Sequence, residues 1–280
     1  MGAQADPDSA GIVIFGCPFD GTCSFRPGTR FGPPAIRAVS DALETYCPIL
    51  RRDLEDVAFA DVGDLVLPPG NVAVALDMAY RMAAQIYKSG QIASALGGEH
   101  LLSLPLVKAA VEAQPDLVLV HFDAHFDLRN NYLGVDLSHA TVMRRIQEFL
   151  DPSRILHIGQ RSGTREEFEQ AELLGNSRPA TVEVSEIVHW IANRPIYVTV
   201  DLDVLDPSIF PGTGTPEPGG VEFARLQSWL VGLSDCEWVG WDVMELSPNS
   251  DSSQVSSIVS AKIVRTMILA SSVRNPKCQK

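Results

Sequence analysis

Short apolar runs alternate along the chain with segments in which apolar residues recur at helical spacing. The runs cover residues 12–15, 57–60, 92–96, 117–122, 155–158, 196–200 and 238–243. The helical segments lie between them, at residues 71–88, 104–114, 140–149, 165–174 and 221–233. Because the runs are apolar at almost every position, they predict strands buried on both faces. The alternation predicts a three-layer α/β/α fold with a central, mainly parallel sheet between helices.

No repeat, low-complexity tract or long linker interrupts this alternation. The chain has 280 residues, of which 45% are hydrophobic, and we expect one domain over residues 1–280. Two stretches rich in proline and glycine, at 26–34 and 207–220, adjoin predicted strands or helices and do not separate two halves of the chain. We expect ordered loops there, at the carboxyl ends of strands, where ligands bind in open α/β sheets.

The first cluster of candidate chemistry is His121-Phe-Asp-Ala-His-Phe-Asp127, which continues the apolar run at 117–120. In a strand, alternate side chains share a face, so Asp123, His125 and Asp127 are predicted to project together. Closely spaced carboxylates on a buried strand repel each other and are costly to desolvate unless a cation neutralises them. The segment therefore favours a metal site. His121 has the same parity but lies deeper in the strand, so we expect it behind the ligands or in the core.

Two further segments end apolar runs in the same way. Asp201 and Asp203 share a face at the end of the run at 196–200, and His100 follows the run at 92–96. Either segment alone is more often a loop, capping or turn feature. Together the three segments supply two imidazoles and four carboxylates, more than one catalytic ion with an open position requires. The oxygen-rich set favours two Mn²⁺ ions about 3.5 to 4 Å apart, with a water between them that is deprotonated near neutral pH.

Charge and composition narrow the range of partners. The net charge is −13 and the sequence pI is about 4.8, so we expect the surface to repel nucleic acid and anionic membranes and to attract a small cation. The first ten residues have neither a basic residue nor the apolar stretch of a leader, and no apolar run is long enough to cross a bilayer, which favours a cytoplasmic protein. The five cysteines are odd in number and lack C-x-x-C spacing, which favours free thiols.

Several spaced motifs resemble the ureohydrolase family of agmatinases, arginases and formimidoylglutamases. They are Gly16-x-Pro-x-Asp-Gly, Phe25-Arg-Pro-Gly-Thr-Arg-Phe-Gly-Pro-Pro-Ala-Ile-Arg37, Gly-Gly-Glu-His100, Phe-Asp-Ala-His-Phe-Asp127, Val-Asp-Leu-Asp-Val-Leu-Asp-Pro207 and Asp242-Val-Met-Glu-Leu-Ser-Pro248. The family order is kept over nearly the whole chain. The resemblance implies an arginase/deacetylase-like fold, a homo-oligomer of three or six subunits, and hydrolysis of a guanidino compound to urea and an amine.

All six metal-ligand positions of the family are present in this chain, and the resemblance implies two Mn²⁺ per subunit. One ion is assigned by the family pattern to His100, Asp123, Asp127 and Asp201. The other ion is assigned to Asp123, His125, Asp201 and Asp203. Asp123 and Asp201 are thereby implied to bridge the two ions. One departure adjoins a ligand, since the commoner Gly-Gly-Asp-His of the family has Glu99 here, a conservative change.

Three catalytic roles and a pocket loop follow from the same resemblance. Asp127 is implied to accept a hydrogen bond from the attacking hydroxide, and His139 to shuttle a proton to the departing amine, since histidine titrates in the required range. Glu245 is implied to pair with the substrate guanidinium, because a carboxylate matches a planar cation in two hydrogen bonds. The loop at 212–217, with Thr215, is expected to line the pocket mouth. From the residues alone, a capping-region histidine is the preferred interpretation of His139.

The substrate is less constrained than the reaction. Arginases recognise the amino acid head group with an Asn/Ser-rich loop before the shuttle histidine, whereas residues 128–138 lack that run and resemble the agmatinase version. We therefore expect agmatine, hydrolysed to putrescine and urea, with Asp136 or Glu217 available to a cationic tail. Arginine, guanidinobutyrate, free guanidine or another guanidino acid stay open, as does a non-catalytic member of the fold. A single-zinc deacetylase is disfavoured because six ligands suit two ions.

Overall fold

The computed structural model describes residues 2–3 and 5–279. Within them the strands are β1 (Ile12–Cys17), β2 (Tyr46–Cys47), β3 (Arg52–Asp53), β4 (Phe59–Asp64), β5 (Ile92–Gly97), β6 (Val118–Phe122), β7 (Ile155–Ile158), β8 (Ser177–Arg178), β9 (Ile196–Asp201) and β10 (Trp238–Met244). The α-helices are α1 (Gly32–Ser40), α2 (Val72–Lys88), α3 (Ser103–Ala113), α4 (Val142–Ile146), α5 (Arg165–Leu174), α6 (Val184–Ile191), α7 (Phe223–Gly232) and α8 (Val255–Ser271). Each of the seven predicted strands overlaps one of these.

Eight of the strands form one sheet, in the order β4-β1-β5-β10-β9-β6-β7-β8. Every neighbouring pair in this sheet is parallel, whereas β2 and β3 form a separate antiparallel pair. Parallel neighbours require crossover connections, which the helices provide. The chain leaves β5 and returns at β6, three positions across the sheet, and it later fills the gap of two strands with β9 and β10. Ligands bind outside the carboxyl ends of strands where the strand order changes in this way.

The four central strands end at the same level. Phe122 of β6 pairs with Val200 of β9, Val200 pairs with Val243 of β10, and Val243 pairs with Leu96 of β5. Since the strands are parallel, the residues that follow this row all emerge at one edge of the sheet. The segments that carry the candidate ligands are those that follow these four strands.

The strands are apolar on both faces because helices cover both faces. Val120 and Phe122 belong to one buried cluster, together with Trp229 of α7, and this cluster also includes residues of α1, α6 and α8. Leu119 belongs to a second cluster, together with Leu106 of α3, which also includes residues of α2 and α4. The alternation of adjacent β6 residues between the two clusters is the period of two of a strand. These features confirm the predicted three-layer fold.

Helices α4, α6 and α8 differ from the sequence prediction. The predicted helix at 140–149 is shorter, consisting of a 3₁₀ turn (His139–Thr141) and α4, while α6 and α8 were not predicted. The five cysteines are free. Among the described residues, no helix is both long and apolar enough to span a membrane.

Candidate metal and substrate site

The alternation of side chains in a strand predicted that Asp123, His125 and Asp127 lie on one face. The structure differs, because β6 already ends at Phe122. The chain turns directly after it, and the Asp123 carboxylate accepts a hydrogen bond from the backbone N–H of His125 at 2.6 Å. Asp127 then adopts a left-handed backbone conformation with φ of 54°. The three side chains do converge, but a tight turn brings them together.

The second acidic segment is built on the same plan. Asp201 is the last residue of β9, and its carboxylate accepts a hydrogen bond from the backbone N–H of Asp203 at 2.9 Å, within a 3₁₀ turn (Leu202–Val204). The carboxylate of Asp203 accepts another from the backbone N–H of Ala124 at 3.0 Å. Backbone amides of one segment therefore orient the acids of both segments.

Three carboxylates surround one ring nitrogen of His100. Its Nδ1 lies 3.1 Å from an oxygen of Asp123, 3.1 Å from one of Asp127 and 3.2 Å from one of Asp201. All four side chains are buried, His100 and Asp123 completely. These are the four residues that the family pattern assigns to one ion.

The neighbouring group lies around His125. Its Nδ1 lies 3.0 Å from Oδ2 of Asp203 and 3.6 Å from Oδ1 of Asp123. The Asp123 carboxylate thus faces both histidines, Oδ2 towards His100 and Oδ1 towards His125. Asp123, His125 and Asp203 have the spacing of a metal-binding group. The groups around His100 and His125 are thus adjacent and share the Asp123 carboxylate, so each of them could hold an ion.

A chain of hydrogen bonds fixes which nitrogen of His100 faces the acids. Asp242 is buried and accepts from the hydroxyl of Thr199 at 2.6 Å, so the oxygen of that hydroxyl is an acceptor for Nε2–H of His100 at 3.1 Å. Nδ1 is therefore the ring nitrogen that faces the three carboxylate oxygens. It has no hydrogen-bond partner among the described residues. Lone pairs that converge in this way fit a cation, and an outer acid that sets the histidine tautomer is typical of metal sites.

The electrostatics of the cluster require positive charge. Burial raises the pKa of Asp127 to about 7, and Asp123 beside it adds to the effect. Burial, Asp203 and Asp123 likewise raise the pKa of Asp201 well above its usual value. Although burial alone would lower it, the adjoining carboxylates raise the pKa of His125 to about 12. Asp127 and Asp201 thus hold protons more readily than usual in a space where several negative charges are excluded from water, and divalent ions fit the same demand.

His139 lies at the opening of this cluster, at the start of its 3₁₀ turn. Its Nδ1 donates to the backbone carbonyl of Thr22 at 2.9 Å, and its Nε2 lies 3.2 Å from the hydroxyl of Ser24. Because a carbonyl can only accept, the proton is on Nδ1 and the lone pair is on Nε2. Burial lowers the pKa of the His139 imidazole, and the charges of His125 and His100 lower it further. The hydrogen bond to Thr22 raises the pKa but does not outweigh them.

We expect the His139 imidazole to titrate below its usual pKa of 6.5 and to be neutral, with the proton on Nδ1, at pH 7. Long-range ¹H–¹⁵N NMR of the metal-free protein, in which no paramagnetic ion broadens the signal, reports both properties. A His139→Asn variant assigns the resonance. Titration above 6.5, or an Nε2–H tautomer at neutral pH, would contradict the geometry.

Glu245 follows β10 with a left-handed φ of 67°, which is strained for a residue other than glycine. Its backbone N–H donates to the carbonyl of Gly98 at 2.9 Å, and its carboxylate accepts from the backbone N–H of His100 at 2.7 Å. The side chain is 5% exposed, and burial raises its pKa well above the usual value. A buried carboxylate held this way, beside the ion positions, is suited to pair with a cation.

Comparison with known proteins agrees with this geometry. The model of the arginase family matches residues 10–270. The chain is 42% identical to an agmatinase of Bacillus anthracis, over 92% of this chain and 91% of the relative. The chain belongs to the arginase family. The family consists of metal-dependent hydrolases of guanidino compounds, so the chain is placed among them.

Two solved structures of the arginase family are closely similar. The agmatine ureohydrolase of Thermoplasma volcanium superposes with a TM-score of 0.87 and 32% identity, covering 96% of this chain and 92% of that chain. The proclavaminate amidino hydrolase of Streptomyces clavuligerus superposes with a TM-score of 0.89 and 31% identity, covering 96% and 95%. The same arginase-family fold thus occurs in proteins named for different guanidino substrates.

The sequence did not reveal the hydrogen bonds that hold the loops of this site. Glu99 accepts from the backbone N–H and the hydroxyl of Thr22 at 2.7 and 2.8 Å, and the Thr22 hydroxyl accepts from the backbone N–H of His139 at 3.1 Å. Arg161 donates to the backbone carbonyls of Asp203 and Glu217, at 2.7 and 2.6 Å. Since the partners are largely backbone atoms, no pattern of residue types could reveal these contacts.

Thr215 lines the cavity beside His139, and so does a cation that the sequence did not predict there. The hydroxyl of Thr215 donates to Asp203 at 3.2 Å, so it supports a candidate ligand. The guanidinium of Arg129 lies 4.9 Å from the ring centroid of Tyr132, whose ring meets the His139 ring edge-on at 5.7 Å. Arg129, Tyr132 and Thr215 all line the same cavity as His139.

The two acids proposed for the substrate tail lie elsewhere. Asp136 is exposed and accepts a hydrogen bond from the Asn131 side chain at 2.9 Å. Glu217 contributes its carbonyl to Arg161, and neither acid is among the residues that line the cavity. The expectation that one of them meets a cationic tail therefore gains no support.

Proposed function

We propose that the chain hydrolyses agmatine to putrescine and urea, with two divalent ions, Mn²⁺ in the first place, at the centre. The observation that carries the proposal is the Nδ1 atom of His100 directed at three carboxylate oxygens, next to a second histidine and carboxylate pair. The six candidate ligands fit two ions. When bound, such ions lower the pKa of a water and supply positive charge to the developing tetrahedral centre.

The residues of the chain have separate tasks in this proposal. Glu245 orients the substrate guanidinium, and its low exposure keeps that ion pair out of water, where it is strongest. Asp127 lies against the first ion position and is available to accept a hydrogen bond from the attacking water. Its left-handed backbone holds the carboxylate in that place.

His139 moves a proton in this proposal. Its Nε2 faces the cavity with a lone pair, while Nδ1–H is tied to the Thr22 carbonyl. The ring can therefore take a proton on Nε2 and return it to the nitrogen of the departing amine, which must be protonated before the C–N bond breaks. General acid–base catalysis of this kind contributes about 10² to 10⁴-fold.

The test is urea release by protein loaded with Mn²⁺, measured in parallel on agmatine, arginine, guanidinobutyrate and guanidine. We expect agmatine to have the highest kcat/KM of the four. Protein stripped with a chelator should release no urea, and the activity should return with Mn²⁺. Absence of urea from all four compounds, in protein shown to contain two ions, would contradict the proposal.

Arg129 favours a second candidate substrate, a guanidino acid such as guanidinobutyrate. The agmatine tail carries an ammonium group, which a guanidinium at the mouth disfavours, whereas a carboxylate tail would be attracted to it. The similarity to the proclavaminate amidino hydrolase points in the same direction. Agmatine stays first because of the similarity to agmatinases at 42% identity.

Replacing Arg129 with glutamine should shift the preference towards agmatine, so that kcat/KM for agmatine divided by kcat/KM for guanidinobutyrate rises by about tenfold. The reason is that one charge–charge contact in a cleft is worth roughly 1 to 2 kcal/mol. Urea assays with both compounds measure the ratio. Arg81→Gln, on the exposed face of α2, is the matched control and should leave the ratio unchanged. An unchanged ratio in the Arg129 variant would mean that its cation does not meet the tail.

Three finer properties remain predictions from the sequence. They are the choice of Mn²⁺ over Ni²⁺ or Co²⁺, a cytoplasmic location, and assembly into trimers or hexamers. Ligand type constrains the choice of ion without deciding it. Metal analysis of protein purified without added ions tests the first property, and light scattering tests the third.

A further inference from the structure

We propose that His157 and His121 form a buried hydrogen-bond relay that orients Asp123 and thereby sets the affinity of the site for divalent ions. His121 lies on β6 and His157 on β7, directly paired in the sheet. Neither residue has a part in the catalysis proposed above. The inference rests on the ion-binding part of the proposed function.

The three side chains are in line. His121 Nε2 lies 2.8 Å from Oδ2 of Asp123, and His121 Nδ1 lies 2.8 Å from Nδ1 of His157. The two imidazole rings meet at 80° with centroids 5.1 Å apart, so the nitrogens approach edge to edge. All three side chains are fully buried, so no water competes for these contacts.

The direction of the hydrogen bonds follows from the partners. A carboxylate oxygen only accepts, so His121 carries a proton on Nε2. His157 Nε2 is buried and has no partner among the described residues. An orphaned buried N–H is rarer than an orphaned acceptor, so the His157 proton is on Nδ1 and is donated to His121. The amide nitrogen of Gln160, 3.5 Å from His121 Nδ1, also faces it as a donor.

The relay determines where the lone pairs of Asp123 point. Oδ2 accepts from His121 on one side and faces His100 Nδ1, 3.1 Å away, on the other. Oδ1 accepts from the backbone N–H of His125 and faces His125 Nδ1 at 3.6 Å. Each oxygen is thus held by one N–H and directed at one ion position. A carboxylate that is shared by two ions must be oriented in this way.

His121 is also near enough to count as a ligand in a group with His100 and Asp123. Its hydrogen bond to Oδ2 excludes that role, because the nitrogen that faces the site carries the proton. Its contribution therefore acts through Asp123, and His121 and His157 are positioning residues. Outer partners of metal ligands are worth about 10 to 100-fold in metal affinity.

The experiment measures Mn²⁺ binding to chelator-stripped protein by calorimetry, with free Mn²⁺ counted by electron paramagnetic resonance. His121→Leu removes the donor, whereas His121→Gln places an amide N–H near the position of Nε2. We expect His121→Leu to weaken Mn²⁺ binding by about 10 to 100-fold and His121→Gln to recover most of the loss. His157→Leu and His157→Asn are the second pair, since the asparagine amide replaces Nδ1–H. We expect a smaller loss for the leucine variant and near-normal binding for the asparagine variant.

Thermal unfolding of each stripped variant separates positioning from folding. If His121→Leu fails to fold, the His157 pair tests the relay without it. Mn²⁺ affinity within about threefold of the parent in a folded leucine variant at either position would overturn the relay. Equal weakening by the amide and leucine variants at both positions would also overturn it. If the parent protein itself binds no Mn²⁺, the metal proposal fails. If the parent binds two ions and the variants bind them equally well, only the relay is refuted.

Discussion

Replacing Asp201 with asparagine should lower kcat/KM for urea release by about three orders of magnitude. Asp201 is 3% exposed and lies 3.2 Å from His100 Nδ1, and the resemblance to the family implies that it binds both ions. The asparagine amide keeps the shape but removes the charge and one oxygen. Metal ions stabilise the charge of the transition state by several kcal/mol, and about 1.4 kcal/mol corresponds to a tenfold change in rate. Urea assays at saturating Mn²⁺ measure the loss.

The same substitution should affect stability in two opposite ways. Without ions, the substitution should raise the melting temperature at neutral pH, because burial raises the pKa of Asp201 and folding must protonate or desolvate this acid, a cost that asparagine lacks. With Mn²⁺ at 100 times the Kd of the parent, the parent should gain about 2.7 kcal/mol and the variant much less. Asp116→Asn, an exposed acid at the opposite end of β6, should alter neither value. An Asp201→Asn variant with parental activity and parental stabilisation by Mn²⁺ would contradict the assigned role.

Replacing Glu245 with glutamine should lower kcat/KM by about 10² to 10³-fold while leaving metal content unchanged. The carboxylate is buried and has one backbone donor, the N–H of His100, so its remaining capacity is available to a guanidinium. Loss of one partner in a buried, hydrogen-bonded charge pair costs roughly 2 to 5 kcal/mol. Glutamine keeps an acceptor for the His100 amide, so the local backbone should persist.

Steady-state urea release and metal analysis measure these effects. Glu222→Gln, at the exposed start of α7, is the control for loss of one acidic charge. Parental kcat/KM in Glu245→Gln would refute the guanidinium role. Loss of bound metal together with activity would instead mean that Glu245 supports the ion positions through His100.

The layers of the fold were predictable because the strands are buried on both faces. A parallel sheet covered by helices requires continuous apolar runs, and these runs are visible in the sequence. Helix α8 was missed for the same physical reason. It is buried around most of its circumference, including Arg265 and Thr266, so it has no polar face and no helical periodicity in its pattern.

The candidate site was predictable in its residue types and less so in its geometry. The acids follow apolar runs, and the carboxyl ends of parallel strands meet at one edge of the sheet. The convergence of the acids could therefore be predicted without knowing the residue at which each strand ends. Strand alternation predicted it for the wrong reason, since Asp123 begins a turn and Asp127 has a positive φ. The roles of these residues stay predictions.

The contacts around the site could not be derived from the sequence. Thr22 binds His139 through its backbone carbonyl, and any residue type offers the same atom. Arg129 was not singled out, because only the folded loop brings it to the cavity of His139. Substrate preference depends on such loop contacts, which is why the sequence restricted the reaction more than the substrate.

Crystals soaked in Mn²⁺ test the central claim most directly, by anomalous diffraction at the manganese absorption edge. We predict two peaks about 3.5 to 4 Å apart, one beside His100 Nδ1 and one beside His125 Nδ1, with Asp123 between them. No peak among these side chains, at ion concentrations that support urea release, would contradict the assignment. A single peak that lacks Asp123 as a ligand would contradict the shared carboxylate.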